Sequence, residues 1–143
     1  MIHSIIEIHS VAKDGVEATA STVRSNLVRV REDRTSDAYA VEDDAGVIVG
    51  YGVVHWVPFL FLAGGEAYIT ELFIRPADTG RKLGSTLIAH IVAEAKRRGC
   101  SRLSLLNGRD GASYHREFYR KLGWIEREQM ANFVFKLGKN AQS

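Results

Sequence analysis

The chain has 143 residues, 45% of them apolar and 25% charged, with a formal net charge of +2. That length supports one core in a single domain spanning residues 1–143, and the composition excludes a disordered or fibrous chain. The weak positive charge argues against a general nucleic-acid binder, while a single cysteine, Cys100, excludes a disulfide framework and fits a reducing, cytoplasmic compartment.

Residues 1–10 contain no Lys or Arg and no apolar run long enough for a secretory signal. Residues 2–8, with Ile5, Ile6 and Ile8, read as a first strand. Asp14 is placed to cap a helix over 15–34, in which Val16, Ala20, Val23, Leu27 and Val30 recur at helical spacing. A short strand is expected over 37–41, a turn over 42–46, and a longer strand over 47–57. After an apolar stretch broken by Pro58, too short to cross a membrane, a turn at Gly64-Gly65 leads into a strand over 66–74. The short connections predict an antiparallel meander.

Pro76 ends that strand, and a polar loop over 77–84 precedes a helix over 84–98. Leu87, Ile88, Ile91, Val92 and Ala95 form its apolar side, and Gly99 stops it. A strand over 101–106, a helix over 112–122 and terminal strands at 124–128 and 132–137 follow. The order predicts an α/β fold: a mixed, mostly antiparallel central sheet flanked by helices in one layered domain.

The segment from Tyr68 to Ser85 carries the chemistry. A helix N-terminus presents unpaired N–H groups and a partial positive charge, which suits a phosphate. Gly80 and Gly84 allow close backbone approach, Arg81 and Lys82 add charge, and Ser85 and Thr86 add hydroxyls. The spacing is neither that of a Walker A loop nor that of a dinucleotide fingerprint.

Glu71-Leu72-Phe73-Ile74-Arg75-Pro76, followed by Thr79-Gly80-Arg81-Lys82-Leu83-Gly84, resembles the strand and CoA-binding loop of the GNAT superfamily of N-acetyltransferases. The family pattern is Arg or Gln, two residues, Gly, one residue, then Gly or Ala. Thr79 and Lys82 depart from it and Gly84 fits. Glu117-Phe118-Tyr119-Arg120-Lys121-Leu122-Gly123-Trp124 resembles the family's second signature, an aromatic pair followed by Gly-aromatic. The resemblance spans residues 38–137.

It implies an acetyl group moved from acetyl-CoA, as co-substrate, to a primary amine of a small molecule or protein. Main-chain groups of Leu72, Phe73 and Ile74 would meet the pantetheine, and Thr79, Gly80, Arg81, Lys82, Leu83, Gly84 and Ser85 the pyrophosphate. Tyr119 is the candidate general acid for the thiolate and Glu71 the candidate general base, with Glu66 its rival. A carboxylate on a central strand is costly to bury unpaired, and strict alternation would put Glu71 with Ile69 on one face and Thr70 with Leu72 on the other.

His55, Trp56 and Glu66 are candidates for the acceptor pocket. The apolar hairpin and the last strands offer surfaces for a homodimer. Five scattered histidines and one cysteine give no metal-ligand spacing. A non-catalytic acyl-CoA-binding regulatory module on the same fold is the alternative reading.

Overall fold

A computed structural model describes residues 21–138 in full and, before them, the backbone at 2–4, 11–13, 16–18 and 20. In chain order the elements are β1 (Ile2–Ser4), β2 (Val11–Lys13), β3 (Val16–Ala18), α1 (Ala20–Glu32), β4 (Ser36–Glu42), β5 (Ile48–Val57) and β6 (Glu66–Ile74). A 3-10 turn (Pro76–Asp78), α2 (Leu83–Arg97), β7 (Arg102–Leu105), α3 (Ala112–His115) and α4 (Phe118–Lys121) complete them. Strands order as β1-β4-β5-β6-β7 in one sheet, with β2 and β3 paired apart from it. All neighbours in the main sheet are antiparallel except β6 and β7. A mixed, mostly antiparallel sheet flanked by helices is the fold the chain was expected to adopt.

Its two faces bury different sets. On one, Val54, Ala67 and Ile69 of the sheet pack with Leu87, Ile88, Ile91 and Ala95 of α2. The three- and four-residue steps of α2 create that stripe, and burying each large aliphatic contributes about 1.5–3 kcal/mol. On the other face Ala40, Tyr51 and Val53 receive Leu27 and Val30 of α1.

β6 contains one more residue than its partner needs. Val53 pairs with Glu71 but Val54 pairs with Ile69, so Thr70 is an extra residue in a β-bulge. Strict alternation therefore fails in β6. Val53 and Tyr51, opposite Glu71 and Phe73, lie on the α1 face; Gly52, opposite Leu72, lies on the α2 face. Leu72 joins Ile69 against α2, and Glu71 goes to the α1 face.

Three further expectations are corrected. Residues 16–18 form a strand paired with 11–13, so the first helix begins at Ala20 and not near residue 15; the proposed cap Asp14 and strand residues 5–8 lie outside the described residues. The helix expected over 112–122 is two short helices, because Glu117 takes a left-handed conformation (φ 55°) between them. Residues 124–128 and 132–137 form no strand. Phe133, Phe135 and Leu137 alternate as a strand would, yet all are exposed; alternation makes a strand only where a neighbouring edge supplies the ladder.

The turn after the apolar hairpin is fixed by a close backbone crossing. Gly64 has φ +72°, and a Cβ there would sit 1.8 Å from the carbonyl oxygen of Gly99, just beyond α2. Next to it, Ser101 N donates to Gly65 O at 3.0 Å. Gly64→Ala is expected to destabilise the fold by about 2 kcal/mol or more, as measured by urea denaturation.

Candidate active site

The loop before α2 is organised by a carboxylate that the sequence did not single out. Asp78 is 3% exposed. It accepts hydrogen bonds from Arg75 Nε and, at 3.0 Å, from Arg81 Nη1, and the bond from Arg75 above all holds its carboxyl below its ordinary range. Arg81 is thus fixed to the loop by one nitrogen. Arg75 and Arg81 stand three residues before and after Asp78, and that symmetric charge spacing was the available signal.

Thr79 Oγ1 donates to Pro76 O at 2.9 Å and closes the 3-10 turn. Lys82 stands in the left-handed region (φ 62°) at the N-cap of α2, and its carbonyl accepts from Thr86 N and Thr86 Oγ1. This explains why glycine is usual at that place in the resembling family: the backbone turns left there. At Gly84, a Cβ would lie 3.2 Å from Phe118 Cζ and 3.6 Å from Ile74 Cγ1. The first turn of α2 is therefore pressed against α4 and the end of β6.

Tyr119, beside Phe118, packs against the α2-side core with Trp124. Burial alone pushes its phenol up to about 12, so it stays protonated at neutral pH and can act as a donor. It lines a cleft of about 660 Å³ with Ser104, Asn107, Tyr114 and Trp124.

The parallel ladder of β6 with β7 runs from Glu66–Arg102 to Ile69–Leu105 and stops. Among the described residues no strand pairs with 71–74 on that edge. Leu72, Phe73 and Ile74 lie in this stretch.

On the α1 face Glu71 is half-buried and accepts from Tyr51 Oη at 3.4 Å. Burial first, then the Glu71 charge, raises the Tyr51 phenol above its ordinary value. His55 spans the same face, with Nδ1 2.8 Å from Ser36 Oγ and Nε2 3.0 Å from Thr70 Oγ1. Ser36 Oγ donates in turn to Asp33 Oδ2 at 2.8 Å. Hydrogen bonds from Thr35 and Ser36 keep the Asp33 carboxyl below its ordinary range.

The other two acceptor-pocket candidates have structural partners. Trp56 Nε1 donates to Asp37 Oδ2 at 2.7 Å, and the Arg98 guanidinium lies 4.2 Å from its ring centre. Glu66 is buried and bonded to Arg102 Nε at 2.9 Å. Trp56 lies on the α2 face, whereas Glu66, opposite Val57, is on the face of His55 but at the far end of β6 from the bulge, with its carboxylate committed to Arg102. Tyr51, Thr70, Ser36 and Asp33 were missed by sequence reasoning, because only the bulge and the register join them.

No helix among the described residues is long and apolar enough to cross a membrane. The family model "Acetyltransferase (GNAT) family" matches residues 3–124. The crystal structure of a transcriptional regulator from Bacillus halodurans C-125 is 26% identical, with 80% of this chain and 75% of that one covered and a TM-score of 0.68. An aminoglycoside acetyltransferase from an uncultured soil metagenomic sample is 18% identical over 80% of this chain and 74% of its own, with a TM-score of 0.70. An aminoglycoside N-acetyltransferase in complex with CoA is 13% identical over 82% of this chain and 88% of its own, with a TM-score of 0.67. The last two support the fold. No curated protein matches the chain.

Two measurements follow from the loop. A left-handed Lys costs about 1–2 kcal/mol, against the smaller entropic cost of glycine, so Lys82→Gly is expected to raise unfolding free energy by about 0.5–1 kcal/mol in a urea titration. Asp78 is depressed below 3.8 in the folded state, so its contribution is complete above that value and lost as pH falls through the lower folded one. Asp78→Asn should abolish this acid-side component of a melting-temperature series taken from neutral to strongly acid pH.

Proposed function

This chain belongs to the acetyltransferase (GNAT) family, a family of acyl-CoA-dependent N-acetyltransferases, and on that premise we propose that it transfers an acetyl group from acetyl-CoA to a primary amine of a small molecule or protein. The observation that carries the reading is the edge of β6 over 71–74, beyond the end of its ladder with β7, set next to the first turn of α2 through the Gly84–Ile74 contact.

The residues present fit the CoA moiety. Main-chain groups of Leu72, Phe73 and Ile74 would hold the pantetheine. The backbone from Thr79 to Ser85 would hold the pyrophosphate, because a helix N-terminus favours an anion and a side chain at Gly80 would meet no neighbour. Bound there, acetyl-CoA supplies an activated thioester carbonyl. Glu71 takes a proton from the incoming ammonium, and its half-buried place beside Tyr51 keeps the carboxylate oriented. Tyr119 supplies the proton to the departing thiolate; its raised value and cleft position support that role. His55 belongs to the acceptor side with Glu71, whereas the contacts of Trp56 and Glu66 support a framework role for both. The compartment proposed is the cytoplasm.

Calorimetry with acetyl-CoA is the direct test. Micromolar binding is expected, and Gly84→Glu should abolish it by driving a side chain into Phe118. In an amine-panel assay Tyr119→Phe and Glu71→Gln should each lower kcat by about a hundredfold while acetyl-CoA affinity holds. Binding without turnover on any amine would favour the regulatory alternative, a use of this fold that the name of the Bacillus halodurans regulator also brings forward.

A further inference from the structure

Acetylation of an ammonium removes two protons from nitrogen, one before the C–N bond forms and one after. One proton is delivered to sulfur and one is released to water. Glu71 accounts for the first removal in the function proposed above, on which this inference rests. A second acceptor is needed on the same face of the sheet.

The hydrogen-bond chain through His55 has a fixed direction. A carboxylate only accepts, and Asp33 is held ionised by bonds from Thr35 and Ser36. The single hydroxyl proton of Ser36 therefore goes to Asp33 Oδ2. Ser36 Oγ then has only lone pairs for His55 Nδ1, 2.8 Å away, so Nδ1 carries the imidazole proton. Nε2 is left with its lone pair facing Thr70 Oγ1 at 3.0 Å, and the Thr70 hydroxyl donates to it. Ser36 is 5% exposed, which shields this part of the chain from competing water. Thr70 is the bulge residue, adjacent to Glu71 on the same face and the first residue of β6 beyond the ladder with β7.

We propose that Thr70 and His55 form the second proton acceptor of the reaction, with Thr70 touching the nitrogen and His55 the positioning residue behind it. After the C–N bond forms, the nitrogen proton passes to Thr70 Oγ1 as the Thr70 hydroxyl proton passes to His55 Nε2. The imidazolium so formed keeps Nδ1–H on Ser36 and is balanced by the Asp33 carboxylate. It gives up its proton to water after product leaves, and the proton collected by Glu71 returns through solvent to Tyr119, which had given its own to sulfur. No oxidant, reductant or further group is required. The other titratable groups that β5 and β6 place on this face are Tyr51, Glu66, Tyr68 and Glu71, with Glu66 paired to Arg102 of β7.

The test starts without turnover. In nitrogen-15 spectra of the full chain above neutral pH, the His55 signals, assigned by their loss in His55→Gln, should show the Nδ1–H tautomer. Ser36→Ala and Asp33→Asn should shift it toward Nε2–H. An Nε2–H tautomer in the unaltered protein overturns the proposal, whether or not an acceptor amine is in hand. In the turnover assay Thr70→Val and His55→Gln should each lower kcat by about a hundredfold with acetyl-CoA affinity unchanged, and Thr70→Ser, which retains the hydroxyl, should restore the rate. Undiminished kcat in Thr70→Val also overturns it. A protein that binds no acetyl-CoA overturns the parent function instead, and turnover combined with an Nε2–H tautomer overturns the relay alone.

Discussion

The extra residue in β6 is the constraint on which the two faces of the sheet depend. A regular strand would send Glu71 toward α2, into the layer occupied by Ile69, Leu87 and Ile91, where an unpaired carboxylate costs several kcal/mol. With Thr70 bulged out of register, Ile69 and Leu72 both stay in the apolar layer, while Thr70 and Glu71 are delivered together to the other side. Two consecutive polar residues on one face is something only a bulge provides. The interruption also falls next to the point where β7 stops pairing, so the same few residues end a ladder and turn two polar side chains toward α1.

The loop before α2 and the aromatic signature, separate in sequence, are two halves of one contact. Gly84 lacks a side chain because the Phe118 ring lies where its Cβ would point. Phe118 in turn carries Tyr119 into the cleft beside β7. The left-handed turn at Glu117 belongs to this arrangement: a continuous helix through that point would set Phe118 and Tyr119 on a different rotation from the preceding turn. The strain of two left-handed side chains, Lys82 and Glu117, is concentrated on the two sides of this junction, as is common where geometry serves a site.

The parts of the fold visible in the sequence are those whose cause is local. The meander was legible because turn residues separate runs of strand formers, and α2 because its apolar residues repeat at helical spacing until Gly99. The departures have non-local causes. The bulge leaves no mark in the composition of 66–74; it exists only relative to the register of β5. The break at Glu117 sits inside a helical pattern, and the pattern of 132–137 is that of a strand without an edge to join. Among the candidate site residues, Glu71 and Tyr119 were read from motifs. Asp78 had a charge pattern that could have been read, and Ser36 and Asp33 had nothing until β4 was laid against β5.

The polar row on the α1 face also shows how folding cost and chemical direction become one property. Ser36 is buried in a layer otherwise made of Ala40, Val53 and Tyr51, and a hydroxyl there is tolerated only if its proton and its lone pairs are both used. Asp33 takes the proton and His55 answers the lone pairs, so the cheapest folded state is also the one that fixes which imidazole nitrogen is bare. Thr70 then has an acceptor within reach because the bulge placed it there. The direction of the chain is set by an acceptor-only carboxylate at one end and a register defect at the other, and neither end requires a substrate to be present.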